Sequence, residues 1–127
     1  MDVELAEIRD FLGNHPPFDQ LPGEALDKLP KALSIRYFRR GLEFPPGDAG
    51  QSFLYLIRQG AVEMRNTEGD LVSKLGEGDM CTFPCGPGSA PFDGTTVEDT
   101  LSYLLPCDEL HKIKEEHAAF REHFDHS

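Results

Sequence analysis

The first apolar residues of the chain recur at the spacing of a helix. They place one apolar stripe along residues 2–12, and this pattern predicts an amphipathic helix there. The residues of the stripe are Leu5, Ile8, Phe11 and Leu12. Two prolines follow at residues 16 and 17, and they end the pattern because proline has no backbone N–H to donate.

A second helix is predicted over about residues 22–33. Pro22 suits the first helical position, and Leu26 and Leu29 belong to an apolar stripe. Pro30 lies inside this stripe and removes one backbone donor. We therefore expect the helix to end or kink near Leu29.

Between about residues 34 and 106 the pattern changes to that of β-strands. Short alternating or continuous apolar stretches are separated by turns rich in Gly, Pro, Asn and Asp. The predicted strands cover residues 34–38, 42–44, 52–58, 61–65, 71–75 and 96–105. Many short strands joined in this way are typical of a small β-sandwich or barrel.

The last segment, residues 108–124, again has helical spacing, and Asp108 is a suitable N-cap. Its apolar positions are three and four residues apart, as in a coiled-coil seam. They are Leu110, Ile113, His117, Phe120 and Phe124. Two roles stay open for this seam: packing against the chain's own β-region, or forming a homodimer with a second copy.

Length and composition indicate one globular domain over residues 1–127. Hydrophobic residues make up 39% and charged residues 28% of the chain, which is ordinary for a protein that buries its own core. No apolar run could cross a bilayer and the N-terminus is acidic, so we expect a cytoplasmic protein that binds no membrane. The cysteines, Cys81, Cys85 and Cys107, are odd in number, and we expect thiols in a reducing compartment.

The net charge of −11 argues against nucleic-acid binding, because a polyanion would be repelled. Three arginines, Arg36, Arg39 and Arg40, do cluster, but three charges are too few for a nucleic-acid groove. We interpret them as the solvated end of a strand.

The distribution of histidine argues against an enzyme. None of the five histidines falls within residues 34–105, so a metal site inside a β-barrel of the cupin type has no ligands there. No Ser/His/Asp or Cys/His spacing suggests a nucleophile. We expect no metal, no cofactor and no catalytic residues.

Five stretches, in this order, resemble the cyclic nucleotide-binding domain superfamily. They are "PFDQLPGEALDKL" (17–29), "YFRRGLEFPPGDAG" (37–50), "FLYLIRQGAVEMR" (53–65), "LGEGDM" (75–80) and "VEDTLSYLLP" (97–106). The resemblance implies a mainly β, α+β fold: a double-stranded jelly-roll-like β-roll with two N-terminal helices and one C-terminal helix. It also implies a regulatory or sensory role, with a small-molecule ligand held inside the roll.

The segment "EDTLSYLLP…LHKIKEEHAAFREHF" is similar to one group within that superfamily. These are divergent domains of bacterial signalling proteins that continue into a pair of CBS domains and a putative nucleotidyltransferase. This similarity implies that the partners are neighbouring regulatory or nucleotidyltransferase domains.

In that superfamily a phosphate-binding cassette holds the cyclic phosphate with backbone N–H groups and an arginine, while a glutamate binds the ribose. In this sequence Thr82 falls at the cassette glycine, Phe83 at the ribose glutamate, and the phosphate arginine falls near Ala90. No Arg occurs between residues 66 and 120, and Lys74 is the only Lys between residues 66 and 109. We therefore expect the domain not to bind cAMP or cGMP in the usual way.

Alternatives stay open for the pocket. The resemblance implies a lining of Phe44, Phe53, Tyr55, Gly76, Met80, Cys81, Thr82, Phe83 and Thr95. A non-standard N–H nest for the phosphate of a nucleotide could form at Gly86, Gly88 and Ser89. Otherwise the ligand is neutral or apolar, or side chains fill the roll and the domain acts only as a protein-interaction or dimerisation module.

Overall fold

The structure is a computed structural model that describes residues 3–44, 46, 53–81 and 93–125. The chain divides into a helical unit, Met1–Leu33 with Asp108–Ser127, and a β unit, Ser34–Cys107. The expectation of a single domain over residues 1–127 stays a prediction.

The helical unit contains α1 (Val3–Gly13), a 3₁₀ turn (Phe18–Gln20) and α2 (Gly23–Ala32). From the C-terminal part of the chain come α3 (Cys107–Glu116) and α4 (Ala118–Asp125). The stripes predicted from the sequence form its core, because their apolar side chains are buried. The buried residues include Ile8, Phe11, Leu12, Phe18, Leu26, Leu29, Leu110 and Phe120.

Pro30 does not end α2, which continues to Ala32 with the proline inside it. An end of the helix near Leu29 is therefore wrong, whereas the alternative, a kink there, stays a prediction. The proline lies in the last turn, where few helical hydrogen bonds remain to be lost. Its own carbonyl accepts a hydrogen bond from the Leu33 amide at 3.3 Å, which closes the helix end.

His117 divides the C-terminal helix into α3 and α4. The backbone still follows the helical pattern across this point, since the His117 amide donates to the Ile113 carbonyl and the Arg121 amide donates to the His117 carbonyl, both at 3.0 Å. The sequence pattern indicated one helix here because the apolar spacing does not change at the break.

In its described residues the β unit has eight short strands, arranged in two antiparallel sheets. The strands are β1 (Ser34–Phe38), β2 (Glu43–Phe44), β3 (Phe53–Gln59), β4 (Val62–Arg65), β5 (Leu71–Leu75), β6 (Met80–Cys81), β7 (Asp93–Thr96) and β8 (Thr100–Pro106). One sheet has the order β1-β8-β3-β6 and the other β2-β7-β4-β5. Mainly β structure with flanking helices confirms the predicted fold class.

The predicted strand over residues 96–105 is two strands. β7 ends at Thr96 and belongs to one sheet, whereas β8 starts at Thr100 and belongs to the other. The Thr96 hydroxyl fixes the corner because it donates to the Arg39 carbonyl at 2.7 Å and accepts from the Leu42 amide at 2.9 Å. No Gly or Pro marks this corner, so local sequence rules miss it.

Gly94 lets β2 and β4 approach β7 closely. It pairs with Phe44 on one side and with Met64 on the other. A Cβ atom at this position would lie 2.0 Å from the Phe44 carbonyl oxygen and 2.7 Å from the Met64 sulfur. The backbone oxygen cannot move away without breaking the strand pairing.

We predict that Gly94→Ala lowers the free energy of unfolding by about 2–3 kcal/mol or more, because the added methyl group displaces β2. The matched control is Gly13→Ala in α1, where the new Cβ would meet only Leu26 at 3.8 Å. The control should leave stability unchanged or raise it by up to about 1 kcal/mol. Urea unfolding of both variants measures this, and equal stabilities would contradict the close approach.

Candidate functional site

The inside of the β unit is an aromatic core that joins the two sheets. Phe44 of β2 makes edge-on contacts with Phe38 of β1 and with Tyr55 of β3, at ring-centre distances of 5.2 and 5.1 Å. All three side chains are at most 1% exposed. Phe53 continues the row, 6.3 Å from Tyr55. Such edge-on contacts are a favourable geometry for aromatic rings.

Four of the residues predicted to line a pocket meet in this core. Phe44, Tyr55 and Cys81 are buried in one cluster, and Phe53 packs against it half-buried. The remaining members of the cluster are Phe38, Ile57, Val62, Met64 and Leu104, so side chains occupy the described interior. Whether these four residues contact a ligand stays a prediction.

Three other predicted pocket residues do not lie in this cluster. Thr95 is exposed on β7, where it pairs with Glu43 and Glu63. Met80 precedes Cys81 and therefore points to the opposite face of β6. Gly76 belongs to the turn before β6, where its amide donates to Asp79 Oδ2 at 2.8 Å.

The cassette segment follows β6. Its lead-in is a defined turn, with Gly78 at φ 86° and its amide donating to the Ile57 carbonyl at 2.8 Å. The predicted cassette and nest residues lie outside the described residues. They are Thr82, Phe83, Gly86, Gly88, Ser89 and Ala90.

Buried polar side chains of the described core already have partners. Ser102 donates to the Leu56 carbonyl at 3.1 Å, and Thr100 donates to the Glu98 carbonyl at 2.9 Å. Within the described ranges no buried side-chain nitrogen or oxygen lacks a hydrogen bond. This part of the roll therefore offers no unsatisfied polar atom to a ligand.

The expectation that all three cysteines are thiols is wrong for Cys107. Cys81 is free and 3% exposed, but Cys107, the first residue of α3, is disulfide-bonded. Sequence spacing could not reveal this disulfide, because a disulfide depends on how the fold brings two distant residues together.

Two residues of the predicted C-terminal seam are buried by packing within the chain. Leu110 is 2% exposed, and Phe120, fully buried, packs on Phe18 with ring centres 5.5 Å apart. Ile113 and His117 are half-buried and line a groove of about 150 Å³ between α2 and α3. The side chain of Phe124 lies outside the described residues, and a dimer through this seam stays a prediction.

Two of the clustered arginines, Arg39 and Arg40, lie near an exposed hydrogen-bonded pair. Asp99 accepts a hydrogen bond from the Arg40 amide at 3.0 Å and another from the Tyr37 hydroxyl. These bonds, the first above all, lower the pKa of the Asp99 carboxyl. The same bond to Asp99 raises the pKa of Tyr37, because its hydroxyl must stay protonated to donate.

None of the helices in the described residues is long and apolar enough to span a membrane. The described residues also contain no group of three or more His, Cys, Asp or Glu side chains placed to bind a metal ion.

Solved structures share this arrangement of two sheets and flanking helices. The sensor domain of the transcriptional regulator DNR from Pseudomonas aeruginosa matches with a TM-score of 0.76 at 10% identity, over 89% of this chain and 84% of that one. This chain has the fold of a cyclic nucleotide-binding domain. No protein-family model and no curated protein sequence matches it.

Regulatory subunits of trypanosome protein kinases also match this fold. A cAMP-independent protein kinase A regulatory subunit from Trypanosoma brucei, carrying three substitutions and bound to cAMP, matches with a TM-score of 0.68 at 18% identity, over 97% of this chain. The Trypanosoma cruzi counterpart, bound to guanosine, gives 0.64 at 22% identity, over 83%. This chain spans 53% and 41% of those two chains, respectively.

We predict that Phe44→Ala lowers the free energy of unfolding by about 3–5 kcal/mol, because it leaves a cavity in a filled core. The control is Leu42→Ala, two residues earlier and 46% exposed, which should change stability by less than about 0.5 kcal/mol. Denaturant unfolding measures both. A small effect at Phe44 would mean that its ring borders open space and not a packed interior.

Proposed function

We propose that this chain is a regulatory module of the cyclic nucleotide-binding type whose phosphate-binding cassette is degenerate. It does not bind cAMP or cGMP through the usual cation. The observation that supports this most directly is the combination of the fold with the absence of any Lys or Arg from residues 75–111, a stretch that includes the cassette. Regulation here means that the domain changes the activity of a neighbouring domain and performs no catalysis itself.

The energetic argument concerns the phosphate group. A bidentate arginine contributes two charge-assisted hydrogen bonds, each worth about 1.5–3 kcal/mol. Their loss lowers affinity by roughly two to four powers of ten.

The trypanosome structures support the same interpretation. The T. brucei subunit is described as cAMP-independent, and the form bound to cAMP carries three substitutions, one of which replaces threonine with arginine. By analogy, we expect this chain, which has no arginine between residues 66 and 120, to bind cAMP poorly.

An uncharged ligand is the second candidate. The T. cruzi subunit is bound to guanosine, a nucleoside with no phosphate. A ligand of that kind needs no cation, and the half-buried ring of Phe53 at the margin of the core would offer it a stacking surface.

We also propose the context in which the module works. The similarity of residues 98–124 to one bacterial group supports a cytoplasmic signalling protein that continues into CBS domains and a putative nucleotidyltransferase. Ligand binding or partner docking would then shift the populations of the neighbouring domain's states.

Thermal unfolding with and without nucleotide tests the proposal. At about 1 mM, a ligand with a Kd of about 10 μM stabilises the folded state by about 2.7 kcal/mol. For a domain of this size that raises the Tm by roughly 10 °C. We expect no such rise with cAMP or cGMP, and a rise with guanosine alone would favour the second candidate.

A gain-of-function variant provides the matched control. Phe83→Glu with Ala90→Arg restores the two charged groups that the alignment finds missing, whereas Phe83→Gln with Ala90→Gln adds side chains without charge. Only the charged pair should acquire a cAMP-dependent rise in Tm. A rise of that size in the unmodified protein would refute the proposal.

A further inference from the structure

Strand β1 presents apolar side chains to solvent. Ile35 is 41% and Tyr37 57% exposed. Phe38, the next residue, faces the other side of the strand, and its ring lies in the core. Leu42, shortly after the strand, is 46% exposed. Three of the five large apolar side chains that are exposed among the described residues therefore lie within residues 35–42. Apolar residues grouped in this way are typical of a contact surface.

The same segment is positively charged on an acidic protein. Residues 34–42 contain Arg36, Arg39 and Arg40 and no acidic residue, whereas the whole chain has a net charge of −11. Arg39 and Arg40 are exposed. Tyrosine and arginine are the residue types most often responsible for binding energy at protein interfaces. The charge of this surface is complementary to an acidic partner.

Asp99 holds this surface in a defined arrangement. Its carboxylate accepts hydrogen bonds from the Tyr37 hydroxyl and from the Arg40 amide. The ring of Tyr37 and the backbone that carries the two exposed arginines are thus fixed relative to each other. A surface that is ordered before binding loses less conformational entropy when a partner docks.

β1 is also an edge strand. It pairs with β8 on one side, and no described strand pairs with its other side. Edge strands expose backbone donors and acceptors that can pair with an incoming extended segment. β5, an edge strand of the other sheet, exposes Leu71 and Val72 but has only one cation, Lys74.

We propose that the edge of β1 binds an acidic segment of a partner protein in extended conformation. The segment would add a strand beside β1 through backbone hydrogen bonds, while its carboxylates pair with Arg39 and Arg40. Its apolar side chains would contact Ile35 and Tyr37. No residue of this docking surface belongs to the cassette segment, and the proposal does not require nucleotide binding.

A second copy of the chain fits this edge poorly. Two β1 strands paired about a two-fold axis would bring the arginines of both copies into the same small area. Like charges that face each other across a strand pair are destabilising. The charge of the segment therefore favours an acidic partner over self-association.

The test uses the whole chain, labelled with ¹⁵N, and an acetylated peptide of alternating glutamate and valine residues as the probe. We expect saturable amide shifts concentrated in residues 34–42, with an affinity that falls as salt is added. Arg39→Ser with Arg40→Ser should weaken binding by about tenfold. Arg58→Ser with Arg65→Ser removes the same charge from other strands and should change binding less than about twofold.

Two methylated versions of the peptide separate strand addition from simple charge attraction. One carries methyl groups on the odd-numbered backbone nitrogens and the other on the even-numbered ones. The peptide whose methylated nitrogens face β1 should lose binding, because those nitrogens can no longer donate hydrogen bonds to the strand. Equal binding of both methylated peptides, equal weakening by the two arginine variants, or no saturable shift would overturn the proposal. So would a dimer, seen by sedimentation, that dissociates in the Arg39/Arg40 variant, since the occupant would then be a second copy.

Discussion

The contact of Phe44 with Phe38 and Tyr55 is the interaction on which the β unit depends most. Phe44 belongs to one sheet and its two aromatic neighbours to the other, so this contact joins the sheets across the core. Gly94 permits it, because any side chain there would collide with the Phe44 carbonyl. The same packing fills the described interior with apolar side chains.

The helices and strands whose apolar residues recur at regular spacing could be predicted from the sequence. Helical stripes around Phe11 and Leu29, and strand patterns such as that of residues 53–59, reflect burial that the periodicity records directly. The corner between β7 and β8 could not be predicted. It is fixed by Thr96 and Asp99, which bond to the backbone of residues far away in sequence, and local patterns do not encode such contacts.

For the candidate site, the sequence predicted correctly which way some residues face and not others, because the direction of a side chain depends on the strand that carries it. The sequence identified inward-facing residues such as Tyr55 and Cys81, which the structure brings together. It also grouped Met80 with Cys81, although neighbours on a strand face opposite ways. The arginines near Tyr37 looked like a solvated strand end. Only the fold shows that they lie on or directly after β1, which no described strand pairs with on its outer side, beside exposed apolar residues.

The central claim is that this roll has lost the charge complementarity needed for cyclic nucleotides. Titrating the ¹⁵N-labelled protein with cAMP while following the amides of Phe53, Tyr55 and Cys81 tests it most directly, because these residues lie beside the predicted pocket. The account predicts no saturable shift up to about 1 mM, as expected when affinity falls by two or more powers of ten. Saturable shifts with a micromolar Kd would contradict it.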